Sequence, residues 1–332
     1  MGAGMAILVT GATGFIGRHL TKRLLESGSL VRVVTRNSER LPSEWAGRVE
    51  TIRGSLLDRG VREAATKGVS LIFNLAGETR DLSSMQAVNV EAMRGLAEAA
   101  VAAGVKRIVH VSSVGVISAV GSGVVTEETP CRPRNAYERS KLAGEQVVLA
   151  CAQGGRIEAV IVRPTIVFGE GTARPGDSFL EWLRAVQQGR FVFIGTKAVA
   201  NYVYVGDVVE AMLRLAERPM SEPATYIVAD PGPMRDFVGG MAQALGVPAP
   251  TRSVPVWAAY TLALGMTVAN RLTGTPVPLT LSRVRALSTE CVFSGDKLRR
   301  EAGIAFPFGY RKGLERTIAW YRERMQSELT RV

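Results

Sequence analysis

Tyr137 and Lys141 stand four residues apart in Tyr137-Glu138-Arg139-Ser140-Lys141. On a helix, that spacing puts a phenol and an ammonium one turn apart on the same face. A phenol ordinarily titrates at about pH 10. A cation one turn away favours the phenolate, so the pair predicts a tyrosine able to give and take a proton near neutrality. The pattern alone is common by chance, and a solvated helix face is its default meaning. Upstream, an apolar run from Arg107 ends in Val111-Ser112-Ser113, which adds a hydroxyl pair. Hydroxyl, phenol and lysine together form a far more specific constellation than any one of them.

A second set of residues could hold an anionic ligand. Behind Ala6-Ile7-Leu8, the stretch Val9-Thr10-Gly11-Ala12-Thr13-Gly14-Phe15-Ile16-Gly17 leads an apolar run into a glycine turn and an amphipathic segment, Phe15–Glu26. Gly11 permits a tight strand-to-helix turn, Gly14 lets backbone approach a pyrophosphate, and Gly17 lets the helix lie close on the strand. The first helical N–H groups and the positive end of the dipole then face the phosphates. This makes Gly11, Thr13, Gly14, Phe15, Ile16 and Gly17 candidate dinucleotide contacts. At the end of the next apolar run, Val33-Val34-Thr35-Arg36-Asn37 carries no acid for a ribose 2′-hydroxyl. Arg36 suits a 2′-phosphate by charge-assisted hydrogen bonds, with Arg18 or Arg40 near enough in sequence to help. NADP(H) is therefore expected over NAD(H).

The elements that must position these groups follow from apolar patterning. Runs at Ala6–Thr10, Leu30–Thr35, Val49–Arg53, Leu71–Leu75, Arg107–Ser112 and Glu158–Arg163 read as strands. Helical patterns fall between them at Phe15–Glu26, Asp58–Thr66, Asp81–Ala103 and Ala136–Gln153. Near-continuous apolar strands alternating with helices predict an α/β fold, a doubly wound parallel Rossmann sheet covered on both faces. After Pro164 the rhythm changes. Short strands (Phe191–Ile194, Tyr202–Val205, Thr225–Val228) mix with helices at Ser178–Gln188, Asp207–Glu217 and Met234–Leu245, and Asp296–Gln326 reads as two amphipathic helices. The expected division is a dinucleotide-binding domain over 1–165 and a smaller, mostly helical substrate lobe over 166–332, with part of 191–229 returning to the sheet.

Composition bounds the function. A chain of 332 residues, 46% hydrophobic and 21% charged with 35 glycines, can bury a large core and is neither fibrous nor disordered. Three widely spaced cysteines, Cys131, Cys151 and Cys291, form no metal spacing or disulfide framework. A reducing cytoplasmic location is expected, with no signal peptide ahead of the first strand and no metal site. The net charge of +11 is scattered and lacks an aromatic-rich basic stripe, so it reads as a solvated surface and not as a nucleic-acid footprint.

With these residues in view, the chain resembles the extended short-chain dehydrogenases/reductases, the superfamily of sugar-nucleotide epimerases and 3β-hydroxysteroid dehydrogenases. The resemblance covers nearly the whole length. Its markers are Gly11–Gly17, Asn74-Leu75-Ala76-Gly77, Asn89, Ser112-Ser113, Tyr137 with Lys141, Arg163-Pro164-Thr165-Ile166-Val167-Phe168-Gly169, and Tyr202–Asp207. The resemblance implies that Ser113 holds the substrate oxygen and Tyr137 moves its proton. It implies that Lys141 binds the nicotinamide ribose and tunes Tyr137. Ser113 is preferred to Ser112 because it stands four residues before Ile117, where relatives often carry a tyrosine. Leu75, Ala76 and Gly77 would run along the cofactor, and the backbone of Pro164, Thr165, Ile166 and Val167 would meet the nicotinamide. Asn89 would tie helix to strand. Where relatives have Gly-Asp-Leu for the adenine, this chain has Gly54-Ser55-Leu56, so Ser55 must replace a carboxylate contact and Asp58 becomes a helix N-cap.

Three activities compete on this reading. The first is an NADP-dependent oxidoreductase interconverting a ketone and a secondary alcohol on a small, hydrophobic substrate. The second is a sugar-nucleotide epimerase or dehydratase with tightly bound NAD(P). The third is a non-catalytic scaffold, which would have no reason to keep Ser113, Tyr137 and Lys141. The residues Val199-Ala200-Asn201-Tyr202 lack the diphosphate-binding arginine usual in sugar-nucleotide enzymes. The uncharged segment Val254–Asn270, with Pro278-Leu279-Thr280 and Phe293–Leu298, is similar to the 3β-hydroxysteroid dehydrogenase and dihydroflavonol reductase branch. The tail Gly309–Tyr321 is similar to that of sugar epimerases. Val254–Asn270 is marginally short for a membrane span of about 20 residues. It is expected to be buried or to face substrate, with Trp257 and Tyr260 as aromatic contacts. Peripheral membrane contact over 254–271, flanked by Arg252 and Arg271, is the alternative. A small-molecule substrate and a monomer or homodimer are expected.

Overall fold

The computed structural model describes residues 5–118, 121–171, 178–273 and 279–329, with backbone alone at 178, 268–273 and 324–329. The chain runs β1 (Ala6–Thr10), α1 (Phe15–Glu26), β2 (Val31–Thr35), β3 (Val49–Arg53), α2 (Arg59–Thr66), β4 (Val69–Asn74), α3 (Leu82–Gln86), α4 (Ala92–Ala102), β5 (Arg107–Val111), β6 (Ser122–Val125) and α5 (Ala136–Ala152). It continues through β7 (Glu158–Pro164), β8 (Ile166–Phe168), α6 (Ser178–Gln187), β9 (Phe193–Ile194), β10 (Val199–Ala200), β11 (Tyr202–Tyr204), α7 (Val205–Glu217), β12 (Ala224–Val228), β13 (Gly232–Pro233) and α8 (Met234–Leu245). The last elements are β14 (Ser253–Val254), α9 (Val256–Thr273), α10 (Leu281–Ser288), β15 (Glu290–Phe293), α11 (Asp296–Ala302) and α12 (Gly309–Leu329).

Seven parallel strands form one sheet in the order β12-β7-β5-β4-β1-β2-β3. Successive strand residues point to opposite faces, so each strand feeds two cores. Val9, Val33, Phe73, Val109 and Val160 pack with Leu20 and Leu24 of α1 and Met212 of α7. Their neighbours Leu8, Ile72, Ile108 and Ile161 pack on the other face with Leu96 of α4 and Val148 of α5. Both faces are covered, which is why the strands read as unbroken apolar runs. The strand order reverses between β1 and β4, and a parallel sheet opens a ligand crevice at the carboxyl ends of its strands there.

Within 191–229, only Ala224–Val228 joins this sheet, beside β7. Phe193–Ile194 pairs instead with Ser253–Val254, and Tyr202–Tyr204 with Ile166–Phe168. A separate aromatic core forms mainly from residues after β7, in which Phe237 stacks on Tyr202 at 4.8 Å and meets Phe168 edge-on at 5.5 Å. The carboxylate of Asp207 in α7 accepts from the N–H groups of Phe308 and Gly309, and Asp230 accepts from the Tyr310 N–H, so one buried and one half-buried acid fasten the start of α12.

Three expectations need correction. The helix expected over Asp81–Ala103 is interrupted by a π turn at Ala87–Glu91 between α3 and α4. Asp58 occupies the N-cap position of α2, but its side chain makes no capping bond. The described side chains of Val254–Asn270 are mostly exposed and line neither cavity that touches Tyr137. The segment forms most of α9 on the outer surface, with Trp257 at 71% exposure and Leu262 and Leu264 both more than half exposed. Among its described side chains only Ala259 and Ala263 are buried, against Ile194 and Val284, and Tyr260 packs beside them. The side chains of Asn270 and Arg271, and Pro278, lie outside the described residues. No helix among the described residues is long and apolar enough to cross a membrane.

Candidate active site

The glycine turn and the loop after β4 meet at the switch point. Gly11 has φ +68°, and a Cβ there would lie 2.6 Å from the carbonyl of Leu75, so only glycine lets the two loops touch. A Cβ on Gly17 would run into the Gly11 carbonyl, so this glycine packs α1 on the turn itself more than on the strand. A buried polar chain holds the second loop. The Thr10 hydroxyl donates to Asn74 Oδ1 at 2.5 Å and accepts from the Ala76 N–H at 3.2 Å, while Asn74 Nδ2 meets His110 Nδ1 at 2.8 Å. Burial, reinforced by the Lys141 charge, keeps the His110 imidazole neutral.

A cleft of about 270 Å³ runs from this junction over the ends of β2 and β3. Gly11, Thr13, Gly14, Ser55, Leu56, Leu75, Ala76 and Gly77 line it, together with Arg36, Asn37 and Arg40. Arg18 lies behind it, donating to the carbonyls of Thr13 and Arg40. Ser55 Oγ accepts from the Leu57 N–H at 3.2 Å. The cap of α1 is Gly14, with no capping side chain and no acid in the first turn. A glycine cradle, an acid-free helix N-terminus and exposed arginines fit a dinucleotide diphosphate with its adenosine.

A second cavity, of about 240 Å³, continues past Gly77 along the ends of β5 and β7. Ile16, Leu75, Gly77, Ser113, Tyr137, Lys141, Pro164, Thr165 and Val167 line it, with Thr79, Val111 and Ser112. Phe15 and Ile166 line neither cavity. Phe15 meets His19 edge-on at 5.6 Å and packs against the aromatic core around Phe168. Ile166 alternates away from Thr165 and Val167 and is 51% exposed.

Tyr137 sits on the first turn of α5, held by a capping box in which Asn135 Oδ1 accepts from the Glu138 N–H at 2.9 Å and the Glu138 carboxylate reaches back to the Asn135 N–H. Burial raises the Tyr137 phenol above its ordinary pKa, and a hydrogen bond with Ser113 opposes the shift. This corrects the expectation that Lys141 would draw the phenol down. Lys141 is buried, and its ammonium donates to the Val111 carbonyl at 2.6 Å. Burial lowers Lys141 to about 8, with Glu145 one turn further along pulling the other way. Glu145 itself is locked by two bonds from the Arg163 guanidinium, at 2.9 and 2.6 Å. That buried pair ties α5 to the end of β7. Ser112, unlike Ser113, is buried, and its hydroxyl has no protein partner among the described residues.

Asn89 lies in the π turn and works differently from the expected helix-to-strand tie. Its Oδ1 accepts from the Glu78 N–H at 2.7 Å, and its Nδ2 donates to the Glu78 carbonyl at 2.9 Å and to Ser140 Oγ at 2.8 Å. It links the loop after β4 to α5, which carries Tyr137 and Lys141. π turns of this kind are frequent at functional sites.

A third groove, of about 530 Å³, touches the other side of Tyr137 and is lined by Thr79, Leu82, Met85, Asn135 and Ala136. Sequence reasoning missed this groove, and missed Asn37 and Thr79 as lining residues. The Asn135-x-x-Glu138 spacing was a legible capping signal. Nothing in the sequence marks Leu82 or Met85, because their relation to Tyr137 exists only once α3 packs beside α5.

Residues 7–229 match the NAD-dependent epimerase/dehydratase family. The chain belongs to that family. A ketoreductase of Stigmatella aurantiaca, acting on 4-hydroxy-2-methyl-3-oxo-4-farnesyl-3,4-dihydroquinoline-1-oxide, is 29% identical over 94% of this chain and 95% of its own length. A UDP-glucose 4-epimerase of Vibrio cholerae is also 29% identical, over 81% of this chain and 86% of its own. Among solved structures, MoeE5 in complex with UDP-glucose and NAD superposes with a TM-score of 0.73, at 26% identity over 96% of this chain and 99% of that one. As a member of this epimerase/dehydratase family, the protein is an NAD(P)-dependent enzyme of the extended short-chain dehydrogenase/reductase type.

Proposed function

We propose that this enzyme is an NADP(H)-dependent oxidoreductase that interconverts a ketone and a secondary alcohol on a small, hydrophobic substrate. One observation carries the reading. Among the described residues, Lys141 is the one cation lining either cavity that touches Tyr137, and the outer groove is formed by Leu82, Met85 and Ala136 with a thin polar rim. Such a site suits an apolar molecule bearing one oxygen and offers no second cation to grip a diphosphate. Burying carbon surface there contributes about 25 cal/mol per Å².

In this reading, residues of both cavities hold the cofactor, with Arg36 and Arg40 at the 2′-phosphate and Lys141 toward the nicotinamide ribose. When bound, the nicotinamide supplies or accepts the hydride. Ser113 holds the substrate oxygen, and Tyr137 gives that oxygen its proton in reduction or takes it in oxidation. The raised phenol pKa keeps Tyr137 protonated at neutral pH, which favours the donor role. A sugar-nucleotide epimerase or dehydratase is the second reading, supported by the UDP-glucose complex of MoeE5.

The exposed apolar face of α9 belongs to the same proposal as a peripheral contact with an anionic bilayer surface. Trp257, Leu262 and Leu264 stand out from the surface, and the exposed cations Arg252 and Arg285 lie in the segments that flank and pack on this helix. Three free thiols, Cys131, Cys151 and Cys291, suit a reducing cytoplasmic compartment. The enzyme would act as a monomer or homodimer.

The deciding experiment follows NADPH consumption with bulky cyclic ketones, steroid ketones, UDP-glucose and dTDP-glucose. Turnover of ketones that Tyr137→Phe lowers by roughly 10²–10⁴-fold supports the reductase. Conversion of a nucleotide sugar without net NADPH consumption, and no ketone turnover, establishes the second reading instead.

A further inference from the structure

Glu138 follows Tyr137 directly, and its carboxylate reaches back to the loop that carries Ser113. Its Oε2 accepts from Ser118 Oγ at 2.7 Å, from the Arg134 N–H at 2.6 Å and from the Asn135 N–H at 3.3 Å. Ser118 is held at φ +47°, the one non-glycine residue with positive φ among those described. Strain of that kind persists only where the surroundings fix it. The Ser118 hydroxyl also lies 2.9 Å from the Gly115 carbonyl, and the Gly115 N–H donates to Ser113 Oγ at 3.0 Å. The packing is close. A Cβ on Gly115 would sit 3.2 Å from Ser113 Oγ and 3.4 Å from Glu138 Cγ.

We propose that Glu138 is a positioning residue that sets the Ser113 hydroxyl against the Tyr137 phenol through Ser118 and Gly115. The inference rests on the roles given above to Ser113 and Tyr137. The physical content is a closed ring. Helix α5 fixes Glu138 beside Tyr137, Glu138 fixes Ser118, the short turn at Val114–Val116 follows, and that turn presents Ser113 back to Tyr137. Because the Gly115 N–H occupies a lone pair of Ser113 Oγ, the Ser113 proton is directed to the phenol oxygen or the substrate oxygen. One carboxylate oxygen, Oε2, holds the loop and the helix start at once. Alanine can hold neither, whereas glutamine keeps one acceptor and still serves in a capping box.

The test uses the full-length protein and the variants Glu138→Ala, Glu138→Gln and Ser118→Gly. Glycine accepts φ +47° without strain, so Ser118→Gly removes the hydroxyl without a steric penalty. With trans-1-decalone and NADPH, Glu138→Ala and Ser118→Gly should each lower kcat about tenfold, the cost of a modest misalignment. KM and the NADPH dissociation constant should stay within about twofold, and Glu138→Gln should recover most of the rate. An unchanged kcat in Glu138→Ala, a Glu138→Gln as impaired as alanine, or a loss shared equally by NADPH binding overturns the proposal. A substrate-free measurement separates its failure from failure of the reductase reading. In ¹³C-tyrosine NMR, with Tyr137 assigned from Tyr137→Phe, Ser118→Gly should raise the Tyr137 titration midpoint by about half a unit or more, since a Ser113 bond to the phenolate is weakened. No movement of that midpoint overturns the positioning role whatever the substrate is.

Discussion

The Lys141 ammonium donates to the backbone carbonyl of Val111 at 2.6 Å, deep at the end of β5, in the same cavity that Tyr137 lines. The lysine is thereby a buried cation tethered to the sheet, and burial lowers it to about 8. Between pH 8 and the unfolded value near 10, the folded state binds fewer protons than the unfolded one, so this group adds stability as pH rises through that window.

The same titration should appear in cofactor binding. If Lys141 holds the nicotinamide ribose, NADPH affinity should be flat from pH 7 to nearly 8 and weaken several-fold by about pH 9.5 as the ammonium is lost. Lys141→Met keeps an apolar stem of similar length and should bind weakly with a flat profile. Fluorescence titration across that range checks this; an unchanged wild-type affinity at high pH contradicts the assignment.

Arg36 and Arg40 both line the cleft at the end of β2, and the acid among its lining residues, Glu78, follows β4 instead. Arg36→Ala should weaken NADP(H) about tenfold or more and leave NAD(H) within about twofold, since an exposed charge-assisted bond contributes about 1.5 kcal/mol. Parallel titrations of the two cofactors decide it. Equal wild-type affinities would remove the proposed preference.

The groove and the surface helix make opposite predictions. Leu82→Asp should raise KM for bulky apolar ketones more than for small ones, because the groove beside Tyr137 loses its apolar wall. Trp257→Ala with Leu264→Gln should leave ketone KM unchanged, since neither residue lines a cavity touching Tyr137. The same pair should reduce co-sedimentation with phosphatidylserine vesicles. A KM effect from Trp257 and Leu264 would return α9 to the substrate path.

Burial raises Asp207 to about 6, against the pull of the Phe308 and Gly309 N–H groups. A carboxyl with a raised folded pKa contributes stability that is full at low pH and is lost as pH climbs from about 4 to 6. Asp207→Asn should show no such decline, so the Tm difference between wild type and variant should change across that interval and level off above it. Thermal melts at half-unit steps measure the difference; a constant offset would mean Asp207 does not titrate there.

Apolar patterning along the chain is enough to place the sheet and its loops. A strand buried on both faces must be apolar at nearly every position, so the runs ending at Thr10, Thr35, Asn74 and Val111 are visible without a structure, whereas the edge strand Val49–Arg53 is half exposed and more weakly marked. The glycine turn and the absence of an acid after β2 are equally local, because each depends on backbone freedom or charge at single positions. Whether Lys141 bonds to Tyr137 or to Val111 was decided only by tertiary structure, since the one-turn spacing allows both and burial at the end of β5 selects the carbonyl. The same holds for α9. Its residues are apolar nearly all round, so periodicity cannot tell the face that packs from the face left exposed, and only the arrival of Ile194 and Val284 against Ala259 and Ala263 made that choice. The Glu138–Ser118 clamp and the Leu82 groove were hidden for a related reason. Each joins residues 20 or more positions apart across elements whose meeting is fixed by packing around the core and not by any pattern within either segment.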